Sequence, residues 1–246
     1  MAGWLEAALW GLLGAASGVV GSAAGLYLHL GHRLLALIMS FGAGVLLGAV
    51  TFEVLPLARG RGGLGPTAGG FLAGALAFAV INACLNRRGA HRRKHGGLMG
   101  SGPRPGAGLA ILAGSILDSL PEAFALGIDQ FAGHGVSAAL LAGIFLSTLP
   151  EGLSSSMGML RAGYRRSFIL GLWVSVTAAS GLAAGAGFVL SGHLAGVTEA
   201  ALLALAGGAV VAMAAETILP AAAHAGGHVT GLVAALGMIV AFVLDR

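Results

Sequence analysis

Charged residues are scarce in this chain of 246 residues: Asp, Glu, Lys and Arg make up 9% of it, whereas 57% of the residues are hydrophobic. Soluble domains carry about 25% charged residues, so this composition excludes an ordinary soluble domain and indicates a protein that crosses a membrane several times. The one cysteine, Cys84, excludes a disulfide within the chain. The G-x-x-x-x-G-K-[ST] loop that binds nucleotide phosphates is also absent, and we therefore expect no coupling to ATP.

Long apolar segments account for most of the chain. A helix needs about 20 apolar residues to cross the roughly 30 Å hydrocarbon layer of a bilayer. Eight segments are interpreted as such spans: Trp4–His29, Leu34–Leu57, Leu64–Leu85, Leu109–Ile128, Val136–Leu160, Phe168–Leu190, Thr198–Ala222 and Val229–Leu244. The predicted fold class is all-α, a polytopic membrane protein with an eight-helix bundle, and residues 1–246 are predicted to form a single transmembrane domain.

Basic residues predict the orientation, because Lys and Arg are retained on the cytoplasmic side of a membrane. If the N-terminus lies outside, ten of the 13 basic residues fall in cytoplasmic loops and three fall on the outer side. The ten are Arg33, Arg87, Arg88, Arg92, Arg93, Lys94, Arg104, Arg161, Arg165 and Arg166, and the three are Arg59, Arg61 and Arg246. We predict a multi-pass protein of the cell membrane with both termini outside the cytoplasm. The asymmetry explains the basic character, so no nucleic-acid partner is predicted.

One connection is long: the loop Asn86–Gly106, which is basic, contains histidines and is rich in Gly and Pro. This composition predicts a disordered cytosolic segment. Two interpretations of the loop stand. His91 and His95 bind a metal ion transiently at the cytosolic side, or the loop only fixes the topology and faces lipid headgroups.

Glycines are frequent, with 44 in the chain, and several are spaced four residues apart. The pairs are Gly14/Gly18, Gly21/Gly25 and Gly181/Gly185. Small residues at this spacing let two helix backbones approach closely in a bilayer. We therefore predict a tightly packed helical bundle whose glycine-rich faces also permit a homodimer.

Acidic residues occur within the predicted spans, where a buried carboxylate costs several kcal/mol unless it has a partner, a proton or a cation. Five of the nine acids lie at or near membrane depth: Glu53, Asp118, Glu122, Glu151 and Glu216. No Lys or Arg lies within any of the eight spans. This imbalance predicts that the countercharge is a cation that binds and leaves.

Two spans repeat one motif, LDSLPEAFALG in the fourth and LSTLPEGLSSS in the fifth. Asp118 and Glu122 are four residues apart and share a helix face. A proline in each motif removes a backbone donor and releases the carbonyl four residues earlier. Carboxylates, hydroxyls and released carbonyls together predict an oxygen-rich site for a divalent cation. The alternative is that the prolines are kinks and the acids are protonated and bonded to neighbouring helices.

At these residues the sequence resembles the ZIP family of metal transporters, whose fourth and fifth spans carry H-N-x-P-E-G and H-x-x-P-E-G type motifs. The second span, GAGVLLGAVTFEVLP, and the seventh, GGAVVAMAAETILPAAAHAGGH, are similar to the acid-and-proline helices of that family. The resemblance implies eight spans, both ends outside, a cytosolic loop with histidines after the third span, and a homodimer.

Carried over to this chain, the resemblance gives the metal ligands. Asp118 stands where the family has a metal-binding His and Ser119 where it has Asn, while Glu122 matches the family's Glu. In the fifth span Ser147, Thr148 and Glu151 take the equivalent places. The loss of imidazole leaves a site of oxygen ligands only. The family implies zinc, and oxygen ligands also suit manganese or iron(II), with cadmium and cobalt as further candidates.

The expected function is transport of a divalent metal ion, most of all zinc, across the lipid bilayer into the cytoplasm, with no enzymatic activity. Glu53 and Glu216 are expected to line the path. His224 and His228 are expected to form an exit relay at the inner end of the seventh span, or else to be interfacial histidines without a role. Two other functions stay open: an intramembrane enzyme that uses Glu122 and Glu151 as an acid/base pair, and a ZIP-fold metal sensor that does not transport.

Overall fold

The computed structural model describes residues 3–28, 31–87, 107–131, 136–161, 163–194 and 196–244. This part of the chain is helical and contains no strand. Its α-helices are α1 (Gly3–Tyr27), α2 (His32–Ala49), α3 (Leu55–Gly62), α4 (Leu64–Arg87), α5 (Ala107–Phe131), α6 (Ala138–Arg161), α7 (Arg166–Ser191), α8 (Gly196–Met213), α9 (Leu219–Gly226) and α10 (Thr230–Leu244). The predicted all-α class is confirmed for these residues.

Among the described residues, six helical segments are long and apolar enough to cross a membrane: Gly3–Tyr27, Arg33–Gly62, Leu64–Cys84, Ala138–Leu160, Arg166–Ser191 and Gly196–Leu244. They confirm that the chain has several helices able to span a bilayer. The predicted fourth span lies in α5, a helix of 25 residues that is not among the six. The predicted seventh and eighth spans lie together in the last segment.

Two of the long segments contain a π-helix just before a proline. Val50–Val54 joins α2 to α3, Ala214–Ile218 joins α8 to α9, and the residue after each π-helix donates its N–H to the carbonyl five residues earlier. Pro56 and Pro220 follow at the start of the next helix. Proline has no N–H to donate and its ring crowds the preceding turn, so the backbone widens there by one residue. Both π-helices contain one of the predicted intramembrane acids.

Glycines bring four pairs of parallel helices into close contact. A Cβ built on Gly21 of α1 would lie 1.9 Å from the carbonyl oxygen of Leu149 in α6, and one on Gly25 would lie 2.5 Å from that of Leu153. The contacting residues advance by four in both helices, so α1 and α6 run parallel. The other pairs are α2 with α10 (Gly44–Ala234, Gly48–Met238), α4 with α8 (Gly70–Ala201, Gly74–Leu205) and α5 with α7 (Gly127–Ala184, Phe131–Phe188). The predicted close packing through glycines is confirmed.

The last apolar segment reverses direction within its length. Helix α8 runs antiparallel to the α2–α3 segment, because Gly207 packs on Val54 whereas Ala200 packs on Gly62. Since α10 runs parallel to α2, α8 and α10 point in opposite directions. The turn between them uses Gly227, whose φ of 73° would strain any residue with a side chain.

The helices form two groups. The first group consists of α1, α5, α6 and α7, and the second consists of α2–α3, α4, α8–α9 and α10. The groups meet where α2 crosses α6 and where α5 contacts α8. At the first crossing, Leu46 of α2 is buried in one apolar cluster with Leu140 and Ile144 of α6. A Cβ on Gly143 would lie 2.7 Å from the Leu46 side chain, so the crossing depends on glycine there.

Helices α1 to α4 and helices α7 to α10 are related as an inverted repeat. They contain matching residues at a constant offset along the chain: Gly44 with Gly208, Pro56 with Pro220, and Gly63 with Gly227. The helices that contain them, α2–α3 and α8–α9, run antiparallel, which is the arrangement of an inverted repeat. Helices α5 and α6, which contain the two L-P-E motifs, lie between the repeats in the chain. The sequence prediction did not include this repeat, although the matching residues were visible.

Candidate functional site

The two L-P-E motifs lie inside continuous helices of the first group. Pro121 is in the interior of α5 and Pro150 is in the interior of α6. Asp118 and Glu122 are 7% and 2% exposed, whereas Glu151 is partly exposed. Both helices pass through their proline without ending, so the carboxylates stay at the helix interiors rather than at a helix end. The structure therefore keeps Asp118 and Glu122 on one face of α5 as the sequence predicts.

The three predicted hydroxyl ligands are all buried, but they have different surroundings. Ser147 Oγ donates to the carbonyl oxygen of Ile144 at 3.1 Å. The methyl group of Thr148 faces α1, where a Cβ built on Gly18 would lie 2.9 Å from it. Ser119 Oγ is buried and has no hydrogen-bond partner in the described part of the chain. Of the three, Ser119 therefore has the hydroxyl whose hydrogen-bonding capacity the protein itself leaves unused.

The carboxylate, imidazole and thiol groups of the described residues do not form a metal site by themselves. Within the described ranges, no three His, Cys, Asp or Glu side chains form a group that could hold a metal ion. A divalent cation at the L-P-E motifs would therefore need hydroxyl or backbone carbonyl oxygens beside the carboxylates. Such oxygens are ordinary ligands for hard divalent cations, and the helix prolines release carbonyls at this level.

Glu53 lies at one end of the bundle, away from Asp118. Ser137, just before α6, donates its hydroxyl to Glu53 Oε2 and its backbone N–H to the Asp129 carboxylate near the end of α5. Asp118 precedes Asp129 in α5 by roughly 16 Å along the helix axis, at 1.5 Å per residue. Glu53 therefore lies beside the C-terminal end of α5. In this conformation Glu53 and Asp118 do not bind the same cation.

An ion pair lies close to the same point. Arg61 of α3 binds Glu199 of α8, and both side chains are largely buried. We call Glu53, Arg61, Asp129, Ser137 and Glu199 the end cluster. Burial raises the pKa of Asp129, one residue beyond the predicted fourth span, to about 6, against the opposing effects of the Ser137 N–H and the Arg61 charge. Because this pKa lies above that of an unfolded chain, the titration of Asp129 stabilises the fold as the pH falls from about 6 towards 4.

The end cluster joins the two helix groups. Asp129 and Ser137 belong to the first group, whereas the other three members belong to the second. None of Asp129, Ser137 and Glu199 was among the site residues predicted from the sequence, and Arg61 entered only the prediction of the orientation. One pattern in the sequence could have indicated this cluster. Charged residues occur at the ends of several predicted spans, and an alternating topology brings those ends to one side of the bundle.

The remaining predicted residues lie elsewhere. Glu216 is exposed and accepts a hydrogen bond of 2.8 Å from Asn82 Nδ2 of α4. His224 and His228 are both exposed, near the start of α2, because Gly226 between them packs on Ala36. The two histidines do not lie on one continuous helix, because α9 ends at Gly226 and His228 lies in the following 3-10 turn.

The predicted cytosolic loop is mostly outside the described residues, which stop at residue 87 and resume at residue 107. The expectations for His91 and His95 therefore stay predictions.

A scan against models of protein families finds no match. A search of curated proteins also finds none.

Proposed function

We propose that this protein is a divalent metal ion transporter of the ZIP type that carries zinc into the cytoplasm, with manganese, iron(II), cadmium and cobalt as the other candidate ions. The observation that carries the proposal is the pair of L-P-E motifs inside α5 and α6. They hold buried carboxylates, hydroxyls and proline-released carbonyls within one group of a helical membrane protein. Carboxylates buried at such a depth in a membrane protein are typical of an ion pathway.

Eight membrane crossings are part of the proposal. In the described part of the chain, six apolar segments are long enough to cross. The last of them reverses direction between α8 and α10, and α5 adds a helix of 25 residues. Counted in this way, the helices alternate in direction along the chain. The parallel pairing of α1 with α6, α2 with α10, α4 with α8, and α5 with α7 agrees with that alternation.

The transport mechanism that this arrangement supports is movement of one helix group against the other. All ligands on the L-P-E motifs belong to the first group, and the inverted repeat supplies two related halves for alternating access. In the present conformation the end cluster holds the groups together at the Arg61 end, and the α2–α6 crossing holds them together near the middle of the α2–α3 segment. We infer that metal reaches Asp118, Glu122 and Glu151 from that end only after the Ser137–Glu53 contact opens.

The orientation in the proposal follows from the distribution of basic residues. Arg33 lies at the start of α2, and Arg166 stacks on Tyr27 at the end of α1, with its guanidinium carbon 4.8 Å from the ring centroid. These residues lie at the end opposite Arg61. The positive-inside rule makes this end cytoplasmic. The proposed location is the cell membrane, with a homodimer as in the family that the sequence resembles.

The orientation predicts which cysteine variants react in intact cells. In a Cys84→Ser background, Gly100→Cys should resist a membrane-impermeant thiol reagent until the cells are opened, whereas Gly60→Cys should react at once. Gly60 is exposed beside the basic residues of α3, so it is the matched outer control. Rapid labelling of Gly100→Cys in intact cells would reverse the orientation.

Metal preference should respond to the residue at position 118. Asp118→His restores a nitrogen ligand, which favours zinc over manganese, and a gain of about 1.4 kcal/mol would raise the zinc-to-manganese uptake ratio about tenfold. Asp118→Asn is the control, because it removes the charge without supplying an imidazole. Equal ratios for the two variants would show that this side chain does not contact the transported ion.

Uptake of metal into liposomes that contain the purified protein tests the function itself. A transporter accumulates zinc in proportion to the protein and saturates with concentration. A metal sensor would bind zinc without accumulation. An intramembrane enzyme would show neither result, and its reaction would depend on Glu122 and Glu151.

A further inference from the structure

Two buried serines of α5 have hydroxyl groups that the protein leaves without a hydrogen bond. Ser115 is 0% exposed and Ser119 is 4% exposed. Neither Oγ atom has a partner in the part of the chain that the structure describes. Ser115 was not among the residues predicted from the sequence. Buried hydroxyls are nearly always satisfied, so two unsatisfied ones in successive turns of one helix require an explanation.

A local partner was available to both serines and is not used. Serine and threonine in a helix commonly donate to the carbonyl three or four residues earlier. In the described part of the chain, nine other helical residues do so: Ser17, Thr51, Thr67, Ser147, Ser155, Ser175, Ser180, Thr217 and Thr230. The hydroxyls of Ser115 and Ser119 are thus left available for a group that is not part of the chain.

The two hydroxyls lie on the same stripe of α5 as the acids. The four residues share one helix face, because Asp118, Ser119 and Glu122 follow Ser115 by three, four and seven residues. The stripe is roughly 10 Å long at 1.5 Å per residue. It alternates hydroxyl and carboxylate oxygens. Ser115 lies at the end of the stripe nearer to the start of α5, and therefore on the side of Arg33 and Arg166.

We infer that Ser115 Oγ, with Asp118 and Ser119, forms a second binding position for the transported divalent cation, one helical turn closer to the proposed cytoplasmic end than Glu122. This inference rests on the proposed function and extends it. The second position has one carboxylate in α5, so it binds the ion more weakly than the position at Glu122 and Glu151. Conduction needs sites weak enough for the ion to leave, and Ser115 supplies that release step.

Ser115→Ala is the direct test, with Ser180→Ala as the matched control. Ser180 is also a buried helical serine of the first group, but its hydroxyl is bonded to the Val176 carbonyl at 3.0 Å. In liposomes, Ser115→Ala should lower the maximal rate of zinc uptake about tenfold and change the half-saturating concentration less than about threefold, because capture at Glu122 is retained. Ser115→Thr, which keeps the hydroxyl, should restore most of the rate.

Stability measurements separate a ligand from a structural role. Without metal, Ser115→Ala should unfold at the wild-type temperature or above, because no hydrogen bond is lost. Saturating zinc should raise the unfolding temperature of the wild type more than that of Ser115→Ala, since a ligand stabilises only the state that binds it. Ser180→Ala should show the full zinc-induced rise.

Three outcomes are decisive. Wild-type protein that takes up no metal would overturn the proposed function. If the wild type takes up zinc and Ser115→Ala takes it up as fast as Ser180→Ala, the proposed function would stand, and Ser115 would bind only structural water. A zinc-binding isotherm of the wild type that fits a single site would also overturn the second position. This measurement uses only the wild-type protein, so it does not depend on whether a variant folds.

Discussion

Replacement of Glu122 or Glu151 by glutamine is expected to reduce zinc uptake to the background of empty liposomes. Glutamine keeps the shape of the side chain and removes the charge that binds the ion. Loss of a residue that only supports a metal ligand costs roughly 10–100-fold, so loss of a carboxylate ligand should cost more than this range. The expected effect is about 100-fold or greater in the ratio of maximal rate to half-saturating concentration.

The measurement is initial uptake at several zinc concentrations, normalised to folded protein in the liposomes. Glu6→Gln provides the control, because Glu6 is an exposed carboxylate near the start of α1. It should transport at the wild-type rate. Both L-P-E variants should elute as folded protein, because glutamine can replace glutamate as a hydrogen-bond acceptor. Normal uptake by both variants would rule out the site on α5 and α6.

Substitution of alanine for Gly44 is expected to cause a large loss of stability. A Cβ at this position would lie 1.9 Å from the carbonyl oxygen of Ala234, so α2 and α10 would have to separate. Overpacking of a close contact costs about 1–3 kcal/mol, and backbone atoms can yield less than side chains. Gly208→Ala should behave in the same way, because its Cβ would lie 2.0 Å from the carbonyl oxygen of Phe71.

The effect is measured by heating the protein in detergent and recording the fraction that stays monodisperse at each temperature. Gly171→Ala is the matched control, because it lies inside α7 with no atom within 4 Å of the added Cβ. Alanine at an open helical position gains up to about 1 kcal/mol over glycine, so this variant should be at least as stable as the wild type. If Gly44→Ala unfolds at the same temperature as Gly171→Ala, the close parallel packing of α2 and α10 is incorrect.

The sequence by itself determined the features that depend on neighbours along the chain. Apolar runs predict helices because a backbone in lipid must satisfy its own hydrogen bonds. The spacing of Asp118 and Glu122 predicts a shared face because a helix repeats every 3.6 residues. The glycine pairs predict close packing because they lack side chains.

Only the tertiary structure decided which distant residues meet. Arg61 binds Glu199, and Ser137 binds Glu53, because α3 packs on α8 and the start of α6 lies beside the π-helix after α2. No local pattern specifies these pairs, since each depends on the order in which whole helices pack. The same holds for the unused hydroxyl of Ser115, because whether a buried group finds a partner depends on every helix around it. The sequence thus determined what lies within each helix, and the packing of the helices decided what lies between them.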